Sequence, residues 1–303
     1  MIAQLSGREL ASCLAGPGLA FRTGPFSVRV HSNVQHISDG LQLLYGNYPL
    51  VAEDAFCDFD LEVLKPAGLR GHVRPQVRFR FDGNNTFEPL PLAHAFPLFE
   101  WAMNWCISTH VNHCLLIHAA VVERGGRALI LPAPPGSGKS TLCAALVHRG
   151  WRLMSDEVAL VPFDGTGLLA LARPISLKNE SIDVMRRFVP GATFNIPSHN
   201  TSKGTVTHML APPDHVARVQ ETAAPAWVVF PRWQAGADAQ LTPRERADTV
   251  LDLARNSFNY GVLGRQGFDT MCQLVQACSC HDFVYSQLDD AIAVFDALAS
   301  GRA

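Results

Sequence analysis

The stretch with the most chemistry in it is Ala128-Leu-Ile-Leu-Pro-Ala-Pro-Pro-Gly-Ser-Gly-Lys-Ser-Thr141. A short apolar run enters a tight turn holding Gly136 and Gly138, and Lys139 and Ser140 then open a predicted helix. Glycines let backbone N–H groups curl around an anion, and a helix N-terminus adds partial positive charge. A lysine here reaches β- and γ-phosphates, and the hydroxyl that follows offers Mg²⁺ a ligand. The pattern points to a phosphate cradle formed by Pro135, Gly136, Ser137, Gly138, Lys139, Ser140 and Thr141. Its one departure from the standard P-loop pattern is Ala133, which stands in place of the first glycine. The plain alternative is a glycine turn that only joins strand to helix. The strand–loop–helix context argues against that.

Acidic residues follow at a useful distance. In Arg149-Gly-Trp-Arg-Leu-Met-Ser-Asp-Glu-Val158, Asp156 and Glu157 fall at the end of a predicted strand. In a parallel α/β sheet that end faces the ligand crevice. One carboxylate there suits Mg²⁺, and the other suits the proton of an attacking hydroxyl. Taken alone the pair reads as a solvated acidic turn, but its position after the glycine loop favours function. His118, in Leu-Leu-Ile-His-Ala-Ala120, is either a satisfied core histidine or a group reaching the phosphate or the base. Lys178, Asn179 and Glu180 form a polar stretch, read either as an exposed loop or as a cation for the transferring phosphate (Lys178) and a second Mg²⁺ ligand (Glu180). Lys203 and Arg232 are weaker candidates for the cationic role. Cys272, Cys278, Cys280 and His281 match no structural zinc spacing.

The elements that must position these groups follow from periodicity. Phe26–Val30 and Gln76–Phe81 alternate as half-buried strands, with a turn at Asp82-Gly83-Asn84 and a helix over Val34–Tyr45. Ala95–Cys114 reads as a helix whose aromatics, Phe96, Phe99, Trp101 and Trp105, belong to the core. Leu115–Val122 and Ala128–Leu131 read as strands around a Gly125-Gly126 turn, and Ser140–Arg149 as a helix closed by Gly150. Strands are expected at Arg152–Met154, Val158–Val161 and Trp227–Phe230, with loop and strand alternating between the last two as far as Pro213. The C-terminal section reads as mostly helical. Ala247, Val250, Leu251 and Ala254 share a face there, and Asp289 caps a last helix over Asp290–Leu298. The expected division is an α+β section over 1–94 and an α/β domain with a helical C-terminal section over 95–303.

Composition narrows the function class. The 303 residues are 48% hydrophobic and 17% charged, enough to bury a sizeable core, and the formal charge of −2 gives no field for non-specific nucleic-acid binding. No apolar run has the length of a membrane span, and the N-terminus, broken by Arg8 and Glu9, is a poor signal peptide. Eight scattered cysteines suggest free thiols in a reducing compartment, so the expected location is cytoplasmic, with no nucleic-acid or membrane partner. A homo-oligomer is compatible with all of this.

Together, His118, Gly136–Thr141, Arg149-Gly150, Arg152-Leu153 and Asp156-Glu157 resemble the HPr kinase/phosphorylase family. The wider chain is similar to the HPr kinase-related kinase A proteins. Their markers look like Phe99-Glu-Trp101, Asn104-Trp105, Ser176–Ser181, Thr201–Thr205, Val229–Arg232 and Ser257–Tyr260. The resemblance implies an α/β P-loop kinase core of the HPr kinase type, using ATP and Mg²⁺ to phosphorylate a serine or threonine of a peptide or protein. It implies Asp156 as base; Lys139 and His118 as its catalytic neighbours, and Ser140, Glu157 and Glu180 as metal ligands, rest on the residue types and positions given above. It also implies a peptide-modification setting with a small peptide chaperone of the PqqD type as partner. The Glu-x-Arg-Gly-x-Gly signature of true HPr kinase/phosphorylases is absent, the nearest stretch being Leu171-Ala-Arg-Pro-Ile-Ser176, which speaks against phosphorolysis and against HPr as acceptor. A nucleotide-dependent peptide-binding module without transfer, and a small-molecule kinase, remain alternatives. The acidic pair favours a kinase, since binding alone requires no base.

Overall fold

Alternating side chains become alternating burial in the first strands. Phe26–Ser32 and Phe59–Leu64 each bury every second residue, which is the pleat of a sheet with one packed face. The computed structural model describes residues 1–66, 75–134 and 136–301. The chain is mixed α/β and forms two compact units. One comprises Met1–Ile107, Arg173–Ile182 and Ala192–Ala217, and the other Ser108–Ala172, Asp183–Gly191 and Arg218–Ala303.

The first unit carries β1 (Leu19–Thr23), β2 (Phe26–Ser32), β3 (Phe59–Leu64), β4 (Gln76–Phe81), β5 (Asn84–Asn85) and β6 (Leu90–Pro91). They lie in the order β1-β2-β3-β4-β5, with β6 also on β4. The helix Gly7–Ala15 opens with a reciprocal cap. Ser6 N–H donates to the Glu9 carboxylate at 2.8 Å, and Glu9 N–H donates to Ser6 Oγ at 3.3 Å. The predicted helix over Val34–Tyr45 is Gln35–Leu44. In the helix Ala95–His110, Phe96 and Phe99 are core residues as expected and Ile107 joins them, whereas Trp101 and Trp105 are only half-buried.

The same helix also buries Glu100. Its carboxylate takes hydrogen bonds from Tyr45 Oη at 2.8 Å and Arg173 Nη2 at 2.5 Å, while Arg173 Nη1 donates to Asn104 Oδ1 at 2.6 Å. Paired and hydrogen-bonded, these charges can stay inside. A small sheet, β12 (Ile175–Lys178), β14 (Gly204–Met209) and β13 (Ser198–Thr201), completes this unit.

The second unit is built on a mixed sheet of β8 (Ala119–Arg124), β9 (Arg127–Pro132), β10 (Arg152–Ser155), β15 (Ala224–Trp233), β16 (Gln240–Pro243) and β17 (Ser279–Tyr285). Its order is β10-β8-β9-β15-β17-β16. The strands β9, β15 and β17 are parallel neighbours, while β8 runs against both β9 and β10. The sheet is therefore not wholly parallel, yet β9, β10, β15 and β17 all point the same way. A separate pair, β7 (Cys114–Ile117) with β11 (Ala159–Pro162), packs into a core with Ile130, Met154, Val228 and Met271.

Several expectations are corrected here. The single strand predicted over Leu115–Val122 is two, β7 and β8, which belong to different sheets. The chain changes sheet at His118, whose N–H bonds Asn256 O at 2.8 Å instead of a ladder partner. The polar run at Lys178 to Glu180 is not simply a loop, because Glu180 opens a helix, Glu180–Phe188. In the helix Arg246–Arg255 the buried positions are Thr249 and Leu253; of the expected face, Val250 packs against the core but Leu251 is 56% exposed. The last helix is Leu288–Ala299 with Gln287 at its N-cap, so Asp289 lies in the first turn, where the helix dipole favours a carboxylate. Finally, Ser279–Tyr285, in the section expected to be mostly helical, is the strand that extends the sheet beyond β15.

Candidate functional site

Because β9, β10, β15 and β17 share a direction, their carboxyl ends lie along one edge of the sheet. The start of the antiparallel β8 lies there too, since Ala119 is in register with Pro132. That edge gathers five features: the glycine loop after β9, Asp156 and Glu157 after β10, Trp233 at the end of β15, Tyr285 at the end of β17, and His118 just before β8. In an open α/β sheet the crevice at this edge is where ligands sit.

Gly136 and Gly138 have φ of +88° and +89°, a region side chains avoid. At Gly138 a Cβ would also meet Tyr285 Oη at 2.8 Å and Trp233 Cβ at 3.1 Å, so the backbone passes hard against the ends of β15 and β17. Hydrogen bonds hold it there. Trp233 N–H donates to Ser137 O at 3.1 Å, and Tyr285 Oη donates to Gly138 O at 3.3 Å. Burial keeps the Tyr285 phenol well above its usual pKa, so it remains a donor.

The helix Lys139–Val147 then begins with no side chain capping it, which leaves its first-turn N–H groups directed at the loop. Ser140 and Thr141 are half-buried in that turn, and Lys139 is only 7% exposed. Pro135 lies outside the described residues.

The loop's donor chemistry suits an anionic ligand. A Cβ on Gly136 would meet nothing within 4 Å, and Ser137 Oγ is buried with no hydrogen-bond partner among the described residues. An anion placed there would take the uncapped amides and this hydroxyl.

Asp156 and Glu157 lie not in the strand itself but in the bend after it, which Ser155 Oγ closes by accepting Val158 N–H at 3.1 Å. Strand alternation therefore does not set their directions; the bend does. Asp156 is 5% exposed, while the Glu157 side chain keeps 28% of its surface and stands 3.7 Å from His118 Nε2. The buried thiol of Cys143, one turn into the helix, registers both the lysine and the aspartate. Burial raises its pKa, the Asp156 charge raises it further, and the Lys139 charge pulls it back. Cys143 Sγ also donates to Ser155 O at 4.0 Å, so the first turns of this helix meet the bend that carries Asp156, and Glu157 with His118 forms a second, more open pair beside it.

No three His, Cys, Asp or Glu side chains gather into a metal cage among the described residues. The oxygens on offer at this edge are Ser140, Asp156 and Glu157. They are hard donors of the kind Mg²⁺ uses when substrate phosphates and water complete its shell. Glu180 is exposed at the start of its helix and belongs with Lys178 to the first unit. Lys203 lies over the Trp101 ring at 4.9 Å, and exposed Arg232 donates to Gln234 Oε1 at 3.1 Å. Burial pushes the Cys278 thiol up to about 12, which disfavours the thiolate that zinc needs.

Sequence reasoning missed two kinds of residue. Trp233 and Tyr285, which flank the loop, lie about a hundred or more positions along the chain from it, and only the parallel pairing of β9, β15 and β17 reveals them. Asn259 falls inside the Ser257–Tyr260 marker, but its role was not readable: it is buried and holds β7 by donating to Val111 O and Cys114 O and accepting Leu116 N–H, which steadies the strand leading to His118. Arg152, a member of the Arg-Gly-Trp-Arg-Leu motif, sits at the opposite end of β10. There it pairs with buried Glu123 at 2.5 Å and donates to Arg218 O and Glu221 O.

No helix among the described residues is long and apolar enough to cross a membrane. No curated protein matches the chain. Over residues 98–174, the span holding His118, the glycine loop, Asp156 and Glu157, the chain is similar to the family described as SynChlorMet cassette protein ScmC.

Proposed function

We propose that this protein is an ATP- and Mg²⁺-dependent kinase of the HPr kinase type, transferring the γ-phosphoryl group to a serine or threonine hydroxyl of a peptide or protein. The observation that carries the reading is the convergence of buried Lys139 and buried Asp156 beside one uncapped helix start. A site that only gripped Mg²⁺–phosphate would use a carboxylate there at most to hold the metal, a role that Glu157 already offers. A site that transfers phosphate needs one, because the acceptor O–H must lose its proton.

In this mechanism the loop amides and Lys139 hold the β- and γ-phosphates. Ser140 and Glu157 would hold Mg²⁺, which would supply neutralisation of phosphate charge. Asp156 takes the acceptor proton as the acceptor oxygen bonds to the γ-phosphorus and the bond from that phosphorus to the β,γ-bridging oxygen breaks, releasing ADP. His118, 3.7 Å from Glu157, supports that carboxylate. The acceptor would come from a modification system encoded with this protein, a setting to which the cassette name of the matched family lends support.

The test is transfer of label from γ-labelled ATP to serine-bearing peptides encoded beside the gene. Transfer should require Mg²⁺ and should fail in Lys139→Ala. Transfer that survives Lys139→Ala or excess chelator would remove the loop or the metal from the mechanism. Nucleotide binding without transfer to any peptide would favour the binding-module reading.

A further inference from the structure

The ligand edge of the second unit is polarised. Taking the strands in spatial order, β10 and β8 bring Asp156, Glu157 and His118 to one side of the glycine loop, and β15 and β17 bring Trp233 and Tyr285 to the other. The acidic side repels a phosphorylated nucleoside; the aromatic side does not.

Trp233 is unusual on that side. It is a large ring, 53% exposed, yet firmly held. Its backbone N–H is tied to Ser137 O at 3.1 Å and its indole N–H donates to Ser286 O at 3.1 Å. The segment behind it is fastened as well, with Gln234 N–H on Tyr285 O at 2.9 Å and Ser286 Oγ on Ala237 O at 2.7 Å. An exposed ring costs solvation, and one fixed at both its backbone and its indole N–H is pre-organised to receive a flat partner.

Resting on the phosphate-loop reading above, we infer that Trp233 is the platform on which the base of the nucleoside triphosphate stacks, so that the nucleoside lies toward β15 and β17 and the acceptor approaches from β10 and β8. Phosphates on the loop and a base on Trp233 leave the γ-phosphate facing Asp156, which is the order an in-line transfer needs. Stacking on an aromatic face strengthens nucleobase binding about ten- to a hundredfold and needs no hydrogen-bond readout of the base.

The experiment compares Mg²⁺–ATP with Mg²⁺–tripolyphosphate, which has the phosphates and no base, by titration calorimetry. The wild type should bind ATP more tightly than tripolyphosphate. Trp233→Ala should lose about ten- to a hundredfold in ATP affinity and leave tripolyphosphate unchanged. Trp233→Phe, which keeps a ring, should retain most of the ATP affinity. Equal affinity of the wild type for the two ligands, an undiminished ATP affinity in Trp233→Ala, or a parallel loss of both ligands in that variant would each overturn the stacking role while leaving the phosphate site standing. If the wild type binds neither ligand, the phosphate-loop reading falls and this inference falls with it.

Discussion

Asp156→Asn is the substitution that separates transfer from binding most cleanly. Asparagine keeps the volume and one side-chain oxygen, so a side chain 5% exposed is replaced without a cavity. What disappears is the negative charge and the capacity to take a proton. A positioned general base contributes about 10²–10⁴ in rate, or roughly 3–5 kcal/mol of transition-state stabilisation at about 1.4 kcal/mol per decade. Ground-state binding moves the other way. The lost carboxylate repelled the phosphates, so Mg²⁺–ATP affinity should hold or improve.

The Cys143 thiol supplies an internal check. The Asp156 charge contributes to its raised pKa and Lys139 opposes it, so the thiol should become more acidic in Asp156→Asn and less acidic in Lys139→Met. The assay is single-turnover transfer from γ-labelled ATP at saturating nucleotide, alongside calorimetric binding. The expected result is at least about a hundredfold slower transfer with binding retained. Normal transfer in Asp156→Asn with a dead Glu157→Gln would mean the two roles are exchanged. Full activity in both variants would refute the kinase mechanism.

Further outcomes follow from the same geometry. Glu157→Gln should raise the Mg²⁺ concentration needed for half-maximal turnover while sparing the metal-independent part of nucleotide binding, measured by metal titration. Gly138→Ala should cost about 1–2 kcal/mol from its left-handed backbone alone, plus the clash with Tyr285 Oη, and chemical denaturation with nucleotide titration should show losses in both stability and binding. Glu123→Gln strands the buried Arg152 charge and should destabilise the fold by about 3–5 kcal/mol in urea without acting on the loop. The pH dependence of that pair has a definite sign. Burial works to raise the Glu123 carboxyl, but the Arg152 and Gly126 hydrogen bonds and the nearby arginine charges outweigh it and hold the group below its ordinary 4.5. Its stabilisation is therefore full above that value and is lost as pH falls through the lower folded value, so Glu123→Gln should show a flatter stability curve in that acid range. Incubation of phosphorylated product with inorganic phosphate should release little label, and rapid phosphate-dependent release would contradict the significance given to the missing signature after Leu171.

Local features were legible in the sequence because they are local. The glycine loop, the Gly125-Gly126 turn, the helix after Lys139 and the strand Gln76–Phe81 each declare themselves within a few residues through periodicity or turn chemistry. The break at His118 was not, since the whole run from Leu115 to Val122 is apolar enough for one strand and only the tertiary bond from His118 N–H to Asn256 O divides it. The helix at Glu180 was hidden by its polar start. There Asn179, at φ +52°, turns the chain, and its Oδ1 accepts Thr205 N–H at 3.0 Å. Long-range charge pairs left no trace either. Glu100 and Arg173 are 73 positions apart, and no spacing rule links them. They nevertheless explain the marker residues Glu100 and Asn104, which serve the first unit's interior. At the site the same limit applied to Trp233 and Tyr285, whose proximity to the loop exists only once the sheet has formed.

The mixed sheet of the second unit sorts its residues by end. One end holds the loop, the acidic bend and the aromatics; the other holds the Glu123–Arg152 pair, the Arg127 guanidinium over Trp227 at 4.6 Å, and the Arg124–Asp296 contact that Trp151 shares. A random-mutagenesis screen that scores protein yield and product separately should therefore divide along the strands. Lesions at the Arg152 end should lower the amount of protein and leave the specific activity of what survives. Lesions in the acidic bend, at Asp156 and Glu157, should leave abundant protein that does nothing. Along β10 the change from one phenotype to the other should occur within four residues, Arg152 to Ser155.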